Sequence, residues 1–119
     1  MSSTESARPT GEIAAEISNL VVKLVSEYTG RGPTKSRTYL NEDLITIVLE
    51  DTLTKGEQSL VRDGKQELVL SMRLAFQQTM RSALVVGIEE ITGRKVRAFL
   101  SANHMTPDIA IESFLLEPV

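Results

Sequence analysis

Glu27-Tyr28-Thr29-Gly30-Arg31 and, further along the chain, Glu90-Ile91-Thr92-Gly93-Arg94 agree at four of five positions. Each pentad closes an apolar pattern of helical spacing and precedes a segment that reads as a β-hairpin. Glycine accepts the left-handed backbone that ends a helix, so Gly30 and Gly93 mark two helix stops. Upstream of Gly30, the residues Ile13, Ile17, Leu20, Leu24 and Tyr28 recur every three or four positions, and Val21 and Val25 widen that face. The spacing predicts a helix over 12–28, with Pro33 forbidding its continuation. Upstream of Gly93, the residues Val69, Met72, Phe76, Met80, Ala83, Leu84, Ile88 and Ile91 keep the same period. They predict a helix over 65–91, about 40 Å long.

The hairpins follow. Residues 36–40 and 44–50 read as two strands turned by Asn41, Glu42 and Asp43. The second is rich in β-branched residues and apolar on both faces, which suits a central strand. Residues 96–101 and 109–117 form the other pair, across a longer loop over 102–108 that contains Pro107. Between the halves, Thr54 and Glu57 make a capping box that opens a short helix. Leu60 and Val61 are its expected anchors, its charges are expected to be exposed, and Asp63-Gly64 ends it. The expected fold class is α+β: duplicated α-β-β units with a connecting short helix, and an antiparallel four-stranded sheet covered by helices. Chance similarity of two helix ends is the alternative to duplication. Pairing of the hairpins within one chain or across a dimer is left open.

Composition sets the outer limits. The chain has 119 residues, no cysteine and a net charge of −3. The length fits a single domain over 11–119, with the polar residues 1–10 expected as a disordered lead. No run of about 18 apolar residues is present, so no spanning segment is expected, and the polar start argues for a cytoplasmic protein. The acidic balance, the lack of tryptophan and the presence of only Tyr28 and Tyr39 as tyrosines disfavour nucleic acid. Lys35, Arg37, Arg94, Lys95 and Arg97 could still gather into one basic patch.

The densest unusual stretch lies at 30–35. Gly30 and Gly32 let backbone N–H groups turn toward a bound oxygen, Arg31 and Lys35 add charged donors, and Thr34 adds a hydroxyl. Arg94 is the counterpart of Arg31 in the second half. Together these residues could hold a phosphate, bicarbonate or carboxylate. The plain alternative is a helix stop joined to a strand, with Arg31 paired to a nearby carboxylate. The site also follows a helix C-terminus, where the dipole disfavours anions. His104, the only histidine, reads as a solvated loop residue. No nucleophile motif, carboxylate dyad in a pocket or metal-ligand spacing stands out, so no catalytic residue, metal or cofactor is assigned.

Taken in order, several short motifs resemble one bacterial family. They are Tyr28-Thr29-Gly30-Arg31-Gly32-Pro33, Leu53-Thr54 with Glu57, Arg73 with Phe76-Gln77, and Met80-Arg81. Ile88-Glu89-Glu90, Thr92-Gly93-Arg94-Lys95-Val96, Ala98-Phe99-Leu100-Ser101 and Pro107-Asp108 with Phe114 and Leu116-Glu117 complete the series. The chain resembles the MpsC-like family, named for a sodium-translocating, membrane-potential-generating system, over roughly residues 11–117. The resemblance implies a small cytoplasmic accessory or regulatory protein, associated peripherally with a membrane transport system for cations or inorganic carbon. It carries over no catalytic residues. The long helix, which should overhang a small domain, adds the expectation of a homodimer. The rival expectation is an oxyanion or phosphate-ligand sensor or enzyme using the turn at 30–35.

Overall fold

The structure is a computed structural model that describes residues 8–119. The expected disordered lead falls mostly outside the described residues; its last residue, Thr10, already opens a helix. Seven elements follow in order: α1 (Thr10–Thr29), β1 (Lys35–Asn41), β2 (Leu44–Glu50), α2 (Lys55–Arg62), α3 (Gln66–Thr92), β3 (Val96–His104) and β4 (Ile109–Leu116). The four strands form one antiparallel sheet in the order β1-β2-β4-β3. Both hairpins therefore lie in one chain's sheet, and β2 is central, as its two apolar faces require.

One sheet face is covered by α1 and α3. Ile45, Ile47 and Leu49 of β2 and Ala110, Phe114 and Leu116 of β4 meet Ile17, Val21 and Val25 of α1 and Met80, Leu84 and Ile88 of α3. Phe114 stacks on Phe99 with ring centroids 4.9 Å apart. The two helices approach closely where Leu20 packs on Gly87: a Cβ there would lie 2.5 Å from a Leu20 methyl. The buried line of α1 runs through Ile17, Val21 and Val25, and Tyr28 is exposed. Tyr28 was expected on the apolar face, but it sits in the last turn, next to the stop.

The second hairpin differs from its expected form. β3 extends to His104, so the connection is the four residues 105–108 and His104 ends a strand. A bulge between Val96 and Ala98 shifts the register there. It turns Phe99, Ser101 and Asn103 toward the helices and leaves Leu100, Ala102 and His104 on the other side.

At 27 residues, α3 is longer than the sheet it crosses. Its first turns overhang by about 10 Å, taking 1.5 Å per helical and 3.3 Å per strand residue. The inner side of this overhang is covered by α2, through Leu60 and Val61, in a small second cluster of Leu53, Val69 and Met105. The capping box of Thr54 and Glu57 is formed in both directions. Glu57 itself is buried, against the expectation that the charges of α2 face water, because a partner waits for it on α3.

Candidate functional site

The two helix stops build like corners. Gly30 and Gly93 are left-handed, with φ of 83° and 69°. Their N–H groups donate to Ser26 and Glu89 carbonyls at 2.9 and 2.8 Å. Thr29 and Thr92 each donate a hydroxyl to the carbonyl four residues back. Each corner then places an arginine on a carboxylate across the sheet end: Arg31 on Asp51 at 2.6 Å and Arg94 on Asp43 at 2.5 Å. Arg94 also donates to the carbonyls of Glu42 and Glu117. Gly32 packs near Ser26 and Val22. Thr34 donates its N–H to Glu50, while its side chain and that of Lys35 stay exposed. Residues 30–35 thus lie at one sheet corner. Arg94 lies at the corner of the β1–β2 turn, beside Asp43.

A different cluster sits inside the fold. On α3 the buried seam runs through Val69, Arg73, Gln77, Met80 and Leu84, so two polar side chains share the apolar face. Arg73 donates to Glu57 of α2 at 3.2 Å, with both side chains almost fully buried. One turn on, Gln77 exchanges two hydrogen bonds with Asn103 of β3, at 3.0 and 3.1 Å. It also reaches Glu112 of β4 at 3.4 Å. The Ser101 hydroxyl donates to the other Glu112 oxygen. Burial pushes the Glu112 carboxyl up to about 7; the hydrogen bonds from Ser101 and Gln77 and the charge of Arg73 pull it only part of the way back. Gln77 and Ser101 also line a cavity of about 160 Å³ with Leu74, Gln78, Arg81 and Phe99, between α3 and β3. Nearby, Asp108 accepts from the Thr52 hydroxyl and the Leu53 N–H, at 2.9 and 2.8 Å, which ties the second hairpin to the start of α2.

Sequence reasoning missed this cluster because Arg, Gln and Glu usually mark the wet side. The signal was there: Arg73 and Gln77 continue the four-residue steps of Val69, and Glu112 alternates between Ala110 and Phe114 on β4. The Glu89 carboxylate, near the end of α3, accepts the N–H of Val96 at 2.9 Å.

The sheet face away from the helices is uncovered among the described residues. It carries Tyr39, Leu44, Val48, Leu100, Ile111 and Leu115, with Tyr39 50% and Leu100 60% exposed. Arg37 lies over Tyr39 with its guanidinium 5.9 Å from the ring centre. No helix among the described residues is long and apolar enough to cross a membrane.

A family model described as "Na+-translocating membrane potential-generating system (MpsC)" matches residues 9–118. Two proteins of Bacillus subtilis (strain 168), each called only an uncharacterized protein, are similar along most of their length. YbcI is 32% identical over 96 residues, 75% of this chain and 73% of the relative. YrhF is 27% identical over 104 residues, 86% of this chain and 85% of the relative. No solved structure matches.

Proposed function

We propose, because this chain belongs to the MpsC family, that it is a small cytoplasmic accessory or regulatory protein of a membrane system that moves cations or inorganic carbon. It works by docking rather than by catalysis. The observation that supports this reading most is the open face of the sheet. Apolar side chains on it flank the hydroxyl pair of Thr46 and Ser113, and exposed apolar patches of this kind mark interaction sites. Leu44, Val48, Leu100, Ile111 and Leu115 supply the apolar residues, and Lys35 and Arg37 of β1 supply a basic edge. A subunit of the membrane system is the occupant that fits the family's description. The outer side of α3, where Leu68 and Val86 are about half exposed, is then free to meet a second copy, which makes the protein a homodimer.

Affinity purification of the tagged chain from solubilised membranes tests this reading. Recovery of integral membrane subunits with the wild type, and their loss with Leu100→Asp, supports it. No membrane subunit with either chain sinks it. Light scattering at high concentration tests the dimer, and a monomer would retire that part.

A second reading keeps the turn at 30–35 as an oxyanion site made by Gly30, Arg31, Gly32, Thr34 and Lys35, with Arg94 at the related corner. It is favoured by the buried Nε atoms of Arg31 and Arg94, which have no hydrogen-bond partner. A thermal-shift panel of phosphate, bicarbonate and nucleotides separates the two readings. No stabilisation across the panel would end the second.

A further inference from the structure

Three ionisable groups meet inside the fold, and only one of them is a cation. Arg73, Glu57 and Glu112 are each 4% exposed or less. The Arg73 guanidinium is bonded to Glu57. Glu112 is left with two neutral partners in contact, the Ser101 hydroxyl and the Gln77 amide. The groups that face it are Ser101 and Asn103 from β3 and Gln77 and Arg73 from α3, with Glu57 of α2 behind Arg73; its β2 neighbour is Ile47, which carries no charge. Arg73 is the one charge that acts on it, and it does so from a distance. With Glu112 neutral, the cluster is balanced. With Glu112 ionised, one guanidinium must serve two buried carboxylates, a costly arrangement in a medium of low dielectric.

We infer that Glu112 is a proton-binding site, and that release of its proton draws Arg73 away from Glu57 and loosens α2. Arg73 is the element that can answer. It stands one helical turn from Gln77, which already touches Glu112, and its charge acts on the Glu112 carboxyl. α2 is the element that can move. It has eight residues, and it is held by the small cluster around Leu53, Val69 and Met105, by the Gln58 amide on the Leu53 carbonyl, and by the Arg73–Glu57 bond. Gln77 and Ser101 line the cavity between α3 and β3, which brings solvent to the two hydrogen-bond partners of Glu112 and gives the proton a short way out. The burial that raises the Glu112 carboxyl places this exchange close to neutral pH.

The test uses the full chain in two measurements. A carbon-13 titration follows the Glu112 carboxyl directly, and hydrogen exchange follows the α2 amides at about pH 6 and about pH 8, corrected for the intrinsic pH dependence of exchange. The expected results are a Glu112 midpoint near 7 and a fall of about tenfold in α2 protection at the higher pH, while the C-terminal half of α3 stays constant. In Glu112→Gln, α2 protection should be the same at both pH values. A midpoint below about 5.5, in the ordinary carboxylate range, overturns the inference. So does α2 protection in the wild type that does not change with pH. Both deciding measurements are made on the wild type, so they stand even if Glu112→Gln fails to fold.

Discussion

Replacing Arg73 with methionine should loosen α2 from the body of the protein and cost as much as truncating a large core side chain. Arg73 is 4% exposed and Glu57 3%, and their bond of 3.2 Å is the one charged tie between α2 and α3. Methionine keeps much of the side chain's length and apolar packing, so the change isolates the charge. It leaves the Glu57 carboxylate buried with only the Thr54 N–H as a donor. Breaking a buried pair from one side typically costs about 3–5 kcal/mol. A domain of this length has a total stability of roughly 6–18 kcal/mol, at about 0.05–0.15 per residue. Urea unfolding followed by circular dichroism should show the loss as a midpoint lower by about 2 M, for a slope near 2 kcal/mol/M. Glu57→Gln keeps an oxygen for the capping box and removes the charge, so it too should destabilise. The double variant should cost less than the two single changes combined, with a coupling of about 2 kcal/mol. A midpoint shift below about 0.5 M for Arg73→Met would refute the reasoning, because it would mean that water already reaches the pair.

Other outcomes follow from the same structure. Stability should depend on pH through Glu112, whose carboxyl is raised from 4.5 to about 7 by burial. The folded state holds this proton where the unfolded chain has released it, so the contribution is complete below about pH 4.5 and is lost as pH rises through 7. At 1.36 kcal/mol per pH unit it amounts to about 3 kcal/mol, read as a urea midpoint that falls from pH 5 to pH 8 in the wild type and less in Glu112→Gln. Gly87→Ala puts a Cβ within 2.5 Å of Leu20; a thermal melt should show a loss of about 1–3 kcal/mol, partly recovered by Leu20→Val. Phe114→Ala empties the centre of the core beneath Phe99, and urea unfolding should register about 3–5 kcal/mol. Glu42 has a φ of 54° in the β1–β2 turn, so Glu42→Gly should raise the melting temperature by relieving about 1 kcal/mol of backbone strain.

The parts of the fold that were legible are those written in short-range chemistry. Gly30 and Gly93 end their helices where the pentads place them, because only a left-handed residue with no Cβ fits there comfortably. The box of Thr54 and Glu57 opens α2 for an equally local reason. What stayed hidden depends on distant partners. Nothing near Glu57 announces Arg73, sixteen positions away, and nothing near Glu112 announces Gln77, so buried polar residues read as wet ones. The bulge after Val96 reverses which side of β3 faces the helices, so Phe99 goes in and Leu100 out. On β1 it is Leu40 that turns inward and Tyr39 outward. The turn at 30–35 was legible as a corner. That Arg31 leans on Asp51, whose own φ is positive, required the fold.

The most direct measurement places a photo-crosslinking residue at position 100, on the open sheet face, and identifies its adduct from intact cells by mass spectrometry. The expected result is a covalent product with an integral membrane subunit of an ion-transport system, absent when the crosslinker sits at the exposed Leu74 of α3. An adduct only with another copy of this chain, or no adduct with any membrane protein, would contradict it.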